Sequence, residues 1–167
     1  MELLNFIKGL ITGKEKTAVT AEWFFHYEDA MTGHKWTIGP IKNKVVQGGL
    51  ENQAALLTGE VPSTTAAMHC VIGSSAVAAT LNDDIADMSE VTRKAITSKS
   101  RQGAMARLRT FLQTTEANGN HQCVGIVARS TDAAGGGVLL NRLVQPFSKT
   151  SNTVLTIEVR WTFKEVI

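Results

Sequence analysis

Four side chains of the metal-binding type stand in two close pairs: His69 beside Cys70, and His121 two residues before Cys123. A structural zinc ion takes four such donors in a tetrahedron. On an extended backbone, neighbouring residues point to opposite faces and residues two apart share one. His121 and Cys123 would then lie together while His69 and Cys70 diverge, so a four-ligand site needs a bend at one end. The expectation is no metal, with two buried free thiols flanked by histidines. A Cys70–Cys123 bridge would need adjacent strands and an oxidising compartment, and two cysteines are too few for a disulfide-rich scaffold.

Other reactive groupings are as sparse. Gly135-Gly-Gly137 lacks the lysine and hydroxyl of a phosphate-binding loop and falls between two strands, which suits a hairpin turn. Gly13-Lys14 has no glycine five residues before Gly13. There is no Gly-x-Ser-x-Gly elbow for a nucleophile. Asp83-Asp84 pairs two carboxylates within a polar loop, where solvation is the ordinary state. These patterns predict a protein that is not an enzyme and carries no cofactor. Arg107 and Arg109, two apart on one strand face, would either pair with acidic groups of a neighbour or lie solvated. Exposed pairs contribute little, so solvation is the expectation.

The elements that position these residues read as β structure. In Val154–Phe163 the residues Leu155, Ile157, Val159, Trp161 and Phe163 share one side at period two, and four of the five on the other side are polar. That specifies a strand with one face in a core and one in water, and hence an antiparallel sheet. Thr17–Glu28 places Trp23, Phe25 and Tyr27 on one face, and a turn at Asp29–Gly33 returns the chain through His34–Ile38 as a hairpin. Lys42–Val46 continues the sheet. A short helix opens at Gly48-Gly49, carries Leu50, Ala54 and Leu57, and stops at Gly59. Further strands are expected over 66–73, 91–100, 104–115, 123–129 and 138–144, the last ended by Pro146. Ser74–Asp87 reads as a long, weakly ordered loop. Short strands with turns between them predict an all-β chain, an antiparallel β-sandwich with one short internal helix.

The start of the chain is different. Leu3, Phe6, Ile7, Leu10 and Ile11 form an apolar helical stripe within residues 2–12, followed by a charged linker. So short a helix must lean on something: either it caps its own domain or it docks on a neighbouring subunit. The organisation expected is an N-terminal helix and linker over 1–16, an anchoring extension, and a single sandwich domain over 17–167.

At 167 residues the chain suits one well-buried core. Charged residues make up 19%, below the usual quarter, which suggests a surface partly covered by partners. The net charge of +2, with scattered lysines and arginines, makes no case for nucleic acid. No apolar run approaches the roughly 20 residues that span a membrane. The N-terminus has no signal-peptide pattern, so synthesis in a cytoplasm is expected.

An ordered series of short motifs adds to this reading. It comprises Asn43–Leu50, Ala54–Gly59, Met68–Gly73, Asp84–Glu90 with Arg93, Glu116–Gly119, Val124–Val127, Gly136–Arg142, Lys149–Ser151 and Leu155–Phe163. The series resembles a family of small tail-fibre or tail-appendage proteins of tailed bacteriophages and prophages. Ser75, Asp87 and Cys123 depart from the family's pattern, as do the basic segment Gly103–Gln113 with Arg107 and Arg109 and the N-terminal helix. The resemblance implies a structural virion protein on a β-sandwich, present in several copies in the tail fibre, baseplate or neck, with copies of itself and other virion proteins as partners. Leu3, Phe6, Ile7, Leu10 and Ile11, with Arg107 and Arg109, are then the candidate interface residues. The rival reading is a sugar-binding sandwich, with Trp36 or Tyr27 stacking on a host-surface glycan.

Overall fold

The structure, a computed structural model, describes residues 16–60 and 68–166. The N-terminal stripe from Leu3 to Ile11 lies outside them. Among the described residues nine strands are hydrogen-bonded in the order β4-β3-β7-β8-β2-β1-β9-β6-β5. Their ranges are β1 Lys16–Asp29, β2 Lys35–Val45, β3 Met68–Gly73, β4 Glu90–Ala95, β5 Ser98–Gln102, β6 Met105–Leu112, β7 Gly119–Ala128, β8 Val138–Lys149 and β9 Thr153–Val166. Every pairing is antiparallel. Helix α1, Gln47–Thr58, follows β2 and ends at Gly59, whose φ of 75° supplies the left-handed cap residue.

The order folds into two layers at β2. Its first part, up to Asn43, pairs with β1, whereas Lys44 and Val45 pair with Arg142 and Asn141 of β8. One layer is β2-β1-β9-β6-β5 and the other β8-β7-β3-β4. Between them lie Trp23, Phe25, Leu108, Leu155, Ile157 and Val159 from the first, against Cys70, Ile72, Val124, Ile126, Leu143 and Phe147 from the second. The Phe25 and Phe147 rings meet at 4.9 Å across the gap. The sandwich expected from period-two patterning is thus the fold observed, and within the segment 104–115 the strand is Met105–Leu112.

Three local expectations need correction. A single strand over 91–100 is instead β4 and β5, one at the edge of each layer. The Ile96 N–H still bonds Met68 O of β3, while the next N–H, of Thr97, bonds Arg109 O of β6. The chain turns a corner there and changes sheet. Pro146 does not end β8. His121 pairs with Phe147 and Cys123 with Val144, so Gln122 alone faces Gln145 and Pro146. A bulge accommodates the missing N–H, and the strand runs on to Lys149.

The third correction concerns residues 74–89, which form a fixed cover over the outer face of the second layer. Met88 is fully buried there among Val71, Cys123, Val127 and Leu139. Arg142, also on that face, donates to Asp83 at 2.6 Å, to Ser75 Oγ at 2.8 Å and to Val77 O at 3.0 Å. Gly73 is required for this fit, because a Cβ there would stand 2.0 Å from Met88 O.

Both cysteines are free and buried, Cys70 in the main core and Cys123 under the cover. Burial pushes the Cys70 thiol up to about 12 and also raises that of Cys123. Since thiolate is the reactive form, neither should be labelled by a thiol reagent in the folded protein at mildly alkaline pH. Labelling of both is expected only in denaturant, read by mass spectrometry.

Candidate interaction surface

The outward face of the first layer follows from the same alternation that builds the core. On β6, Leu108, Thr110 and Leu112 are buried, so Arg107, Arg109 and Phe111 point out. On β9, Leu155, Ile157 and Val159 point in, so Thr156, Glu158 and Arg160 point out. On β1, Trp23, Phe25 and Tyr27 point in, and Phe24 and His26 point out. Register then centres the set, with Arg109 and Phe24 flanking Glu158 on its two sides and Arg107 beside Arg160.

Glu158 was expected in water with the rest of its face, yet it has no exposure. Its Oε2 accepts from Arg109 Nε and its Oε1 from Arg160 Nε, while Arg107 Nε stands 3.6 Å from Oε1. Burial alone would raise its carboxyl pKa. The hydrogen bonds from Arg109 and Arg160 outweigh that and hold it below the ordinary glutamate value. Arg160 also lies over the Phe24 ring at 4.1 Å, a cation–π contact that fixes its plane. His26 Nδ1 is bonded to Thr37 Oγ1, and Nε2 stands 3.8 Å from Glu158. Burial lowers the pKa of His26 against the pull of Glu158, so the ring is neutral near pH 7.

Three guanidiniums therefore surround one carboxylate, leaving an excess of two positive charges. At the border Glu22 is the cross-strand neighbour of both Lys42 and Arg160, and counting Glu22 and Lys42 together leaves that excess unchanged. Arg107, Arg109 and Arg160 retain side-chain exposures of 31%, 43% and 30%. Arg109 and Arg160 bond Glu158 through Nε alone, and no terminal amine of the three has a hydrogen-bond partner among the described residues. The geometry is a preorganised anion platform of planar forks facing outward. Arg107 and Arg109 are thus neither freely solvated nor without an acidic neighbour; that neighbour is within the chain.

The other candidates disperse. His69 bonds Ser130 Oγ and Asp132, and Cys70 is in the core. His121 bonds Ala117 O and packs on Phe147, while the bulge turns Cys123 to the opposite face. No group of three possible metal donors forms among the described residues. Asp83 is not solvated but buried against Arg142, and Asp84 is exposed. Tyr27 is buried, with Trp36 stacked on it at 5.0 Å, which leaves Trp36 as the exposed member of that pair. Phe163, expected inside, is partly exposed and lines an apolar cavity of about 210 Å³ under α1, together with Asn52, Leu56, Met68 and Trp161.

No protein-family model, curated protein or solved structure matches this chain. No helix among the described residues is long and apolar enough to cross a membrane. Sequence reading found Arg107 and Arg109 but not Glu158, Arg160 or His26, because only strand register brings β1, β6 and β9 together. The available signal was a lone acid at the centre of an otherwise uncharged or cationic strand face.

Proposed function

We propose that this chain is a structural protein of a tailed-bacteriophage virion, a component of tail fibre, baseplate or neck that works through contacts with copies of itself and with other virion proteins. The ordered motif series from Asn43 to Phe163 supports the viral setting. The observation that carries the interface reading is the platform of Arg107, Arg109 and Arg160 gathered around Glu158, which hydrogen-bonds Arg109 and Arg160, and open at its outer edge. Fixing long side chains before contact lowers the entropy that a partner must overcome. The action is mechanical: a stiff sandwich presents a preformed charged face, and the stripe Leu3, Phe6, Ile7, Leu10 and Ile11 serves as anchor. Quantitative mass spectrometry of purified particles should find several copies of the protein per virion, and truncation of residues 1–12 should abolish incorporation. Recovery of the intact protein only in the particle-free fraction would overturn the reading.

The sugar-binding alternative has one observation in its favour. Trp36 is 41% exposed beside Lys35, Thr37 and Phe111, around a shallow recess. Specific signals on a glycan array, lost in Trp36→Ala, would establish it; equal signals from both proteins would dismiss it.

A further inference from the structure

The two broad faces of the sandwich differ in charge. The outer face of the first layer carries the arginine platform with its two uncompensated positive charges. The second layer is covered by residues 74–89, and that cover is acidic where it is free. Its inner carboxylate, Asp83, is neutralised by Arg142, and Glu90 beyond it by Arg93. Asp84 and Asp87 remain exposed, with neither in an ion pair among the described residues. Among the described residues their carboxylates accept from the Ala86 and Asp84 backbone N–H groups, which holds the turn in a fixed shape. Two rigid cationic and anionic sites thus lie on opposite sides of one molecule, separated by both sheets.

We infer that the arginine platform of one copy receives the Asp84–Asp87 turn of a second copy, so that subunits stack face to back. The proposal rests on the interface reading above and names the occupant of that surface. Charge complementarity is the argument for a second copy: the platform lacks two negative charges, and the turn offers two. Carboxylates are also the groups that guanidinium forks grip bidentately. An interface joining two different patches is heterologous, so it repeats and closes into a ring or continues as a column. Both forms are natural to a tail.

The test uses the full-length protein in sedimentation velocity. Wild type should self-associate at about 50 mM salt and dissociate at about 500 mM, where screening shortens the reach of charge. Asp84→Asn/Asp87→Asn keeps the turn's acceptors and removes its charge. Arg107→Glu cancels the excess on the platform, leaving two cations against two acids. Each variant, checked as folded by circular dichroism, should weaken association by at least about tenfold. The decisive sample is their mixture. The first variant retains an intact platform and the second an intact turn, so a one-to-one dimer should form and grow no further. A monomeric wild type at low salt, or an Asp84→Asn/Asp87→Asn protein that associates as tightly as wild type, would overturn the inference. So would a mixture that remains monomeric while both variants are folded. Particle incorporation is read separately: copies present in virions alongside a failed mixing experiment reject the stacking contact and spare the viral role.

Discussion

Glu158→Ala is expected to destabilise the fold by about 3 kcal/mol, because it removes the one anion from a buried, charged centre. Three guanidiniums would be left facing one another with no carboxylate to hold them. Their partial exposure lets water enter, which keeps the loss toward the lower end of that for a sealed pair. Glu158→Gln keeps shape and an acceptor but not charge, so its loss should be smaller. The two variants separate packing from electrostatics in urea titrations at neutral pH.

The same residue fixes a pH dependence. The folded carboxyl titrates below the ordinary glutamate value, and the unfolded one at about that value. A depressed folded pKa stabilises the protein at pH above the unfolded value, and this contribution disappears as pH falls through the folded one. Wild type should therefore lose stability on acidification below about pH 4.5. Asp83, Glu90 and Glu116, also depressed by hydrogen-bonding partners, add to that loss. Glu158→Gln should show a shallower acid slope than wild type. An identical slope would remove Glu158 from the account of acid stability.

Arg142→Ala should cost about 4 kcal/mol and loosen the cover of residues 74–89. Arg142 is 1% exposed and Asp83 9%, so truncating the arginine strands a buried carboxylate. It also leaves Ser75 Oγ and Val77 O without their donor. Met88 would still pack on Val71, Cys123, Val127 and Leu139, and Leu81 O would still accept from Gln47 N–H, so the cover would be loosened rather than lost. Hydrogen exchange should accelerate across residues 74–89 before it does in β1 or β9, and limited proteolysis should cut there first. Because Asp83 is the stranded group, the double variant Arg142→Ala/Asp83→Ala should lose less than the sum of the single losses. Strict additivity would mean that the pair is not coupled.

The parts of this molecule legible in its sequence are those set by a short period. Alternation in Thr17–Glu28 and Val154–Phe163 marks the two long strands of the first layer, and Gly59 marks the helix end. Features that depend on a distant partner were not legible. Nothing in the residues 91–100 announces that Ile96 belongs to β3 and Thr97 to β6. Pro146 breaks a regular ladder, and only the bulge opposite Gln122 shows why it does not break β8. The 74–89 segment looked weakly ordered because small polar residues dominate it, yet Met88, Asp83 and Arg142 pin it. Glu158 looked solvated because its cations arrive from β6, far along the chain, as well as from Arg160 nearby. Register across β9 turns separate surface charges into one buried centre.

The outer face of the first layer is proposed above as a contact surface, held ready by Glu158 for another protein subunit, in a virion on the same proposal. A high-resolution image of the assembled particle tests it most directly. Arg107, Arg109 and Arg160 should be sealed against acidic side chains of an adjoining protein. Those three residues lying open to solvent in every copy within the particle would contradict it.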